Sequence, residues 1–304
     1  MYTNKKIRFV GFFRFFLFII LATGLGCGIT KSMVGAITSE EPVIKKKIIV
    51  FPPINHCGLT QEKAAKISID LAETLKEEPQ LLLCNSTGDF PSPSEGDMNQ
   101  YGVVYNRPEI TEKAKAMNIN GLILPYIPPI EESGGRSGIW PFRYDSKIYK
   151  MSLVTNVIDP VNGCLYLTEL GSCEVKFPSD EIKDLSEHDI HEKVMEEAMP
   201  GLIKRQAKAI IDRLVKEPWT GKIAEVDNGI IKINAGSDAG IFPDQIFSVY
   251  SPGESIESKS GRTFTLLGEK LGTIKAVTVN AEDTIAETVE GGPFYAGQTI
   301  VFNP

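Results

Sequence analysis

Between Lys147 and Phe177 the chain reads KIYKMSLVTNVIDPVNGCLYLTELGSCEVKF, two apolar-alternating runs joined by Asp159-Pro160-Val161-Asn162-Gly163. In the first run Ile148, Met151, Leu153, Thr155 and Val157 mostly alternate with polar positions; the second supplies Leu165, Leu167, Cys173, Val175 and Phe177. Alternation of this kind marks half-buried strands. A turn this short can join only antiparallel strands, because parallel neighbours need a long crossover. The stretch therefore predicts a long β-hairpin, and with it a sheet for the hairpin to join.

The preceding residues supply that sheet. Ile48-Ile49-Val50-Phe51 is a continuous apolar run of the fully buried strand type. Thr60 is placed to cap a helix reaching about Glu78, in which Ala64, Ile67, Leu71 and Leu75 recur at helical spacing. Pro79 stops it and Leu81–Cys84 reads as a second strand. Residues 85–107, rich in Ser, Pro, Gly and Asn, read as a long excursion. Pro108 then opens a helix with Ile110, Ala114 and Met117 inward, and Leu122-Ile123-Leu124 is a third strand. Pro128–Tyr144 reads as a long loop carrying Trp140, Phe142 and Tyr144. Exposed aromatics there would form a contact surface; folded back, they would plug the sheet.

After the hairpin, Ser186 with Asp189 makes a capping-box-like start to a long helix. Its apolar positions Ile190, Val194, Ala198, Leu202, Ile203, Ile210 and Leu214 would cover the hairpin, with a kink expected at Pro200-Gly201. From Trp219 the pattern becomes short strands with glycines at the turns. The fold class expected is an α/β (α+β) mixed-sheet domain at 45–217, then a small all-β, SH3-like barrel at 218–304.

The N-terminus reads as an address. Residues 1–14 carry Lys5, Lys6, Arg8 and Arg14 without an acid, Phe15–Leu25 is almost wholly apolar, and Gly24-Leu25-Gly26-Cys27 follows. This is the layout of a secretory signal peptide, here 1–26, and the apolar run is short of the roughly 20 residues that span a bilayer. Cys27 after a glycine resembles the lipobox of bacterial lipoproteins, although Gly24 stands where those usually have Leu and Leu25 where they have a small residue. The resemblance implies lipidation of Cys27, a tether over 27–44, and residence in the bacterial cell envelope: the periplasmic face of the outer membrane if lipidated, otherwise the periplasm or an inner-membrane anchor. Cys57, Cys84, Cys164 and Cys173 remain downstream and could form two bridges or none.

The formal net charge is -7, and the stretch from Trp219 onward holds six basic against eleven acidic residues. Such a surface repels phosphate backbones and argues against a nucleic-acid partner.

Two family resemblances follow from the order of these pieces. KKIIVFPP, a helix, LLLC, a helix, NGLILPYI, the DPVNGCLYLTE hairpin and a closing helix resemble the exported α/β domains of the curli-secretion lipoprotein and of the TolB amino-terminal domain. From Gly236, GSDAGIFPDQIFSVY, then GEKLGTI and AGQTIV, resemble the carboxy-terminal barrel of the flagellar T-type envelope protein family, with Pro243 where that family usually has Gly. Together they imply a non-enzymatic envelope component, without cofactor, that assembles with envelope proteins or with itself and meets the membrane through Cys27.

Chemical constellations are sparse. His188 and His191 stand three apart on one predicted helix, a spacing that can hold a metal, but at a helix start rich in acids they read rather as simply solvated. His56-Cys57 has no third partner in sequence; Gly134–Gly138 lacks the Lys-Ser/Thr ending of a phosphate loop. Glu131, Glu132 and Asp145 read as loop solubility. No catalytic, cofactor-binding or metal residue is assigned. The function expected is assembly or anchoring of an envelope machine through protein contacts, with the Trp140 loop as candidate surface. The rivals are a regulatory module for a wall-synthesising enzyme and a metal-dependent hydrolase.

Overall fold

A computed structural model describes residues 43–84, 88, 90–91, 108–257 and 263–302. Cys27 and most of the 85–107 excursion lie outside these. The first part contains strands β1 (Lys46–Val50), β2 (Ile54–Asn55), β3 (Leu81–Leu83), β4 (Gly121–Ile127), β5 (Glu131–Ser137), β6 (Tyr144–Ile158) and β7 (Leu165–Pro178). Its helices are α1 (Gln61–Lys76), α2 (Pro108–Ala116) and α3 (Glu187–Leu214). The strand order is β3-β1-β4-β6-β5, with β2 beside β4 and β7 beside β6. β1 pairs parallel with β3 and β4, while β4, β5 and β7 each pair antiparallel with β6. The hairpin thus converts a β-α-β start into a mixed sheet, as its turn requires.

β1 shows why both faces of the sheet are buried. Ile48 and Val50 face one apolar core with α1 and α3, whereas Ile49 and Phe51 face another with Ile110, Ala114 and Leu122. Thr60 caps α1 by accepting from Lys63 N, and Ser186 and Asp189 form a full capping box on α3. α3 runs without interruption through Pro200, whose flanking turns are fixed by buried Met199, Leu202 and Ile203. In the turn Asp159 Oδ1 accepts from Val161 N at 2.8 Å, and Gly163 takes φ 68, a conformation that costs glycine little.

One expectation changes. Pro128–Tyr144 is not one long loop: Glu131–Ser137 is strand β5, paired from Glu131 opposite Lys150 to Ser137 opposite Tyr144. The sequence EESGGRS has no apolar alternation; ion pairs to β6 support it, Glu131–Lys150 (3.2 Å), Glu132–Lys147 (2.7 Å) and Arg136–Asp145 (3.2 Å).

The second part contains six antiparallel strands, β8 (Trp219–Asp227), β9 (Ile230–Ile233), β10 (Ile246–Glu257), β11 (Thr263–Val279), β12 (Thr284–Gly291) and β13 (Thr299–Phe302). They pair in the ring β10-β11-β12-β9-β8-β13, which β13 closes onto β10. Trp219, Ile223, Phe247, Val249, Ile274 and Ile300 fill its interior, and Ile44, just before β1, packs among them.

The two parts are joined by polar side chains as well. Asn120 Oδ1 accepts from Lys47 N (2.9 Å) while its Nδ2 donates to Thr220 O (2.7 Å). Lys46 Nζ donates to Leu214 O (2.6 Å) and to Glu217 O, satisfying carbonyls at the end of α3. Burial pushes this ammonium down to about 8, with the Glu217 charge opposing.

Candidate interaction surface

Strands β5 and β6 close on a six-residue tip, 138–143, that lies past the last rung of β7, where Ser146 faces Pro178. Ile139, Trp140 and Phe142 are 84%, 77% and 82% exposed, and Tyr144 at the base is 49% exposed. The aromatics therefore point outward and do not plug the sheet. The tip is tightly closed: Phe142 N donates to Ile139 O at 2.7 Å. Gly138 has φ 94, and a Cβ there would collide with the Phe142 carbonyl. Sequence reasoning singled out Trp140, Phe142 and Tyr144 but not Ile139, which completes the apolar tip.

The tip is also basic. Arg136 is engaged by Asp145, whereas Arg143 makes no ion pair among the described residues. Four large side chains and the Arg143 guanidinium on a convex, closed turn have no means of enclosing a small substrate. What they can do is enter a complementary surface.

A cleft of about 560 Å³ lies between α1 and α3. Its floor is Ile67, Met195, Met199 and Ile203, and its rim carries Lys63, Lys66, Asp70 and Glu196. Lys66 is held by Asp70 at 2.8 Å and Lys63 by Glu192, leaving Glu196 without an ion pair among the described residues. Thr74 and Pro200 complete its lining.

The histidines and cysteines singled out in the sequence have near partners. His188 Nε2 sits 2.9 Å from Glu192 Oε1, and His191 Nε2 lies 3.9 Å from Glu187. No metal-holding group of His, Cys, Asp and Glu occurs among the described residues. His56 meets the Tyr126 ring edge-on at 5.3 Å, while the Cys57 thiol turns to Asn55 Oδ1 at 3.1 Å. Burial pushes that thiol's pKa up, away from the thiolate a nucleophile needs. Cys57, Cys84, Cys164 and Cys173 are all free thiols. Gly134–Ser137 belong to β5.

Comparisons with known proteins add names. No family model matches the chain, and no curated protein matches it. Among solved structures it is similar to a hypothetical protein of Chlamydia trachomatis at 11% identity, covering 57% of this chain and 99% of that one, with a TM-score of 0.36. A lipoprotein of Neisseria meningitidis matches at 12% identity, 57% and 99% coverage and a TM-score of 0.29. TolB of Acinetobacter baumannii matches at 11% identity, covering 84% of this chain and 63% of that one, with a TM-score of 0.26. At these scores none of the three defines an activity for this chain. No helix among the described residues is long and apolar enough to cross a membrane.

Proposed function

We propose that this chain is a non-enzymatic protein of the bacterial cell envelope that acts in assembly or anchoring through protein contacts. On this reading residues 1–26 direct export and Cys27 carries the lipid. The body at 45–217 is of the curli-secretion and TolB amino-terminal kind, and 218–304 is an SH3-like barrel of the flagellar T-type kind. The observation that carries the proposal is the β5–β6 tip, where Ile139, Trp140 and Phe142 stand in solvent on a closed turn. Exposing such a cluster is unfavourable in a free monomer and is explained by a partner that covers it. The test is co-purification from membranes with crosslinking, the lipid state of Cys27 being read by mass. Association should weaken when Trp140 and Phe142 are both changed to Ala; unchanged association would count against the tip as the contact.

A further inference from the structure

The chain carries both a knob and a hole. The knob is the convex tip, apolar through Ile139, Trp140 and Phe142, with Arg143 beside them and in no ion pair among the described residues. The hole is the α1–α3 cleft, apolar through Ile67, Met195, Met199 and Ile203, with Glu196 on its rim likewise in no ion pair among the described residues. Its volume, about 560 Å³, lies within the range that encloses a drug-sized ligand, ample for aromatic side chains. Methionine-lined floors adapt to aromatic shapes because the thioether is flexible and polarizable. Arg143 on the tip and Glu196 on the rim carry opposite charge, so the two surfaces are complementary in sign.

We propose that the Trp140 tip of one copy docks in the α1–α3 cleft of a second copy. This inference rests on the proposed assembly role and names its partner. A contact between two different patches of the same chain is heterologous: each junction leaves a free tip at one end and a free cleft at the other. Copies therefore add head to tail, and the assembly ends only by closing into a ring or running on as a filament.

The test uses the full chain in detergent, with size read by analytical ultracentrifugation. Phe142→Glu spoils the knob and Met195→Glu spoils the hole; Phe142 is exposed, and because Met195 packs against the core, thermal unfolding of its variant is read beside size. Wild type should form species larger than a monomer, and each variant alone should be monomeric. A mixture of the two should form a pair and stop there, because one intact knob and one intact hole remain. Arg143→Glu and Glu196→Arg should each weaken association about two- to fivefold, the range of an exposed ion pair, and the double variant should restore it. Monomeric wild type, a mixture that stays monomeric, or no rescue in the double variant would overturn the proposal. So would a tip variant that loses binding to phosphatidylglycerol-containing vesicles while keeping its assembly size, which would make lipid the occupant. If the tip variant loses an envelope partner and the cleft variant changes nothing, this inference fails while the assembly role stands.

Discussion

Gln206 of α3 occupies the space left by the missing side chain of Gly171 in β7. Its Nε2 donates to Leu153 O at 2.8 Å, and a Cβ on Gly171 would lie 3.0 Å from that nitrogen and 3.2 Å from Leu202 Cδ2. Helix and hairpin are registered by this polar contact inside an otherwise apolar interface, with Gln206 fully buried. Gly171→Ala should cost about 1–3 kcal/mol by overpacking, and Gln206→Leu a similar amount by leaving the Leu153 carbonyl without its donor. Denaturant midpoints measure both. A Gly171→Ala protein as stable as wild type would mean that the ends of the Gln206 and Leu202 side chains give way to the methyl.

Asn120 performs a comparable task between the two parts of the chain. It serves Lys47 N and Thr220 O together and is buried. Asn120→Ala orphans both backbone groups and should cost about 2–4 kcal/mol. Asn120→Asp keeps the acceptor for Lys47 N but loses the donor to Thr220, so the substituted carboxylate should fare no better. Thermal unfolding of the variants decides it.

The hairpin turn supplies the pH dependence. Burial pushes the Asp159 carboxyl above its ordinary value of 3.8, the hydrogen bonds from Val161 N and Tyr166 opposing only in part. A carboxyl whose folded pKa is raised contributes stability below about pH 3.8, where both states are protonated, and loses it as pH rises through the folded value. Asp159→Asn keeps the Oδ1 acceptor for Val161 N and removes that loss. The stability of the variant relative to wild type should therefore grow as pH rises from 3.8 toward neutrality. A difference independent of pH would contradict a buried, titrating Asp159.

The tip should behave oppositely to these sites. Trp140→Ala with Phe142→Ala removes side chains that are 77% and 82% exposed, so stability should stay within about 0.5 kcal/mol of wild type. Melting temperature and association measured on one preparation separate a contact surface from a core plug. Loss of both together would return the aromatics to the sheet.

Much of this was legible in local pattern. The DPVNG turn foretold an antiparallel pair, Ser186 and Asp189 foretold the start of α3, and glycines spaced through the last third foretold short strands in place of helices. What escaped depends on distant partners. β5 has no apolar period, and its strand is visible only once Lys147, Lys150 and Asp145 stand opposite. Lys46 lies in a KKK run that reads as solvated, yet it is buried because the end of α3, 168 residues away, offers carbonyls. Ile44 belongs by sequence to a tether and by packing to the second sheet's core. The aromatic triplet was legible as a surface or a plug; only the turn geometry at Gly138 and Phe142 selects the surface. The α1–α3 cleft needed two helices side by side, and Met195 and Met199 gave no sign of it alone.

The most direct test is the assembly size of the full chain in detergent, compared with the Trp140→Ala, Phe142→Ala variant at equal concentration. Wild type should be an oligomer, and the variant a monomer that keeps its fold. An identical size for both, whether monomer or oligomer, would contradict this.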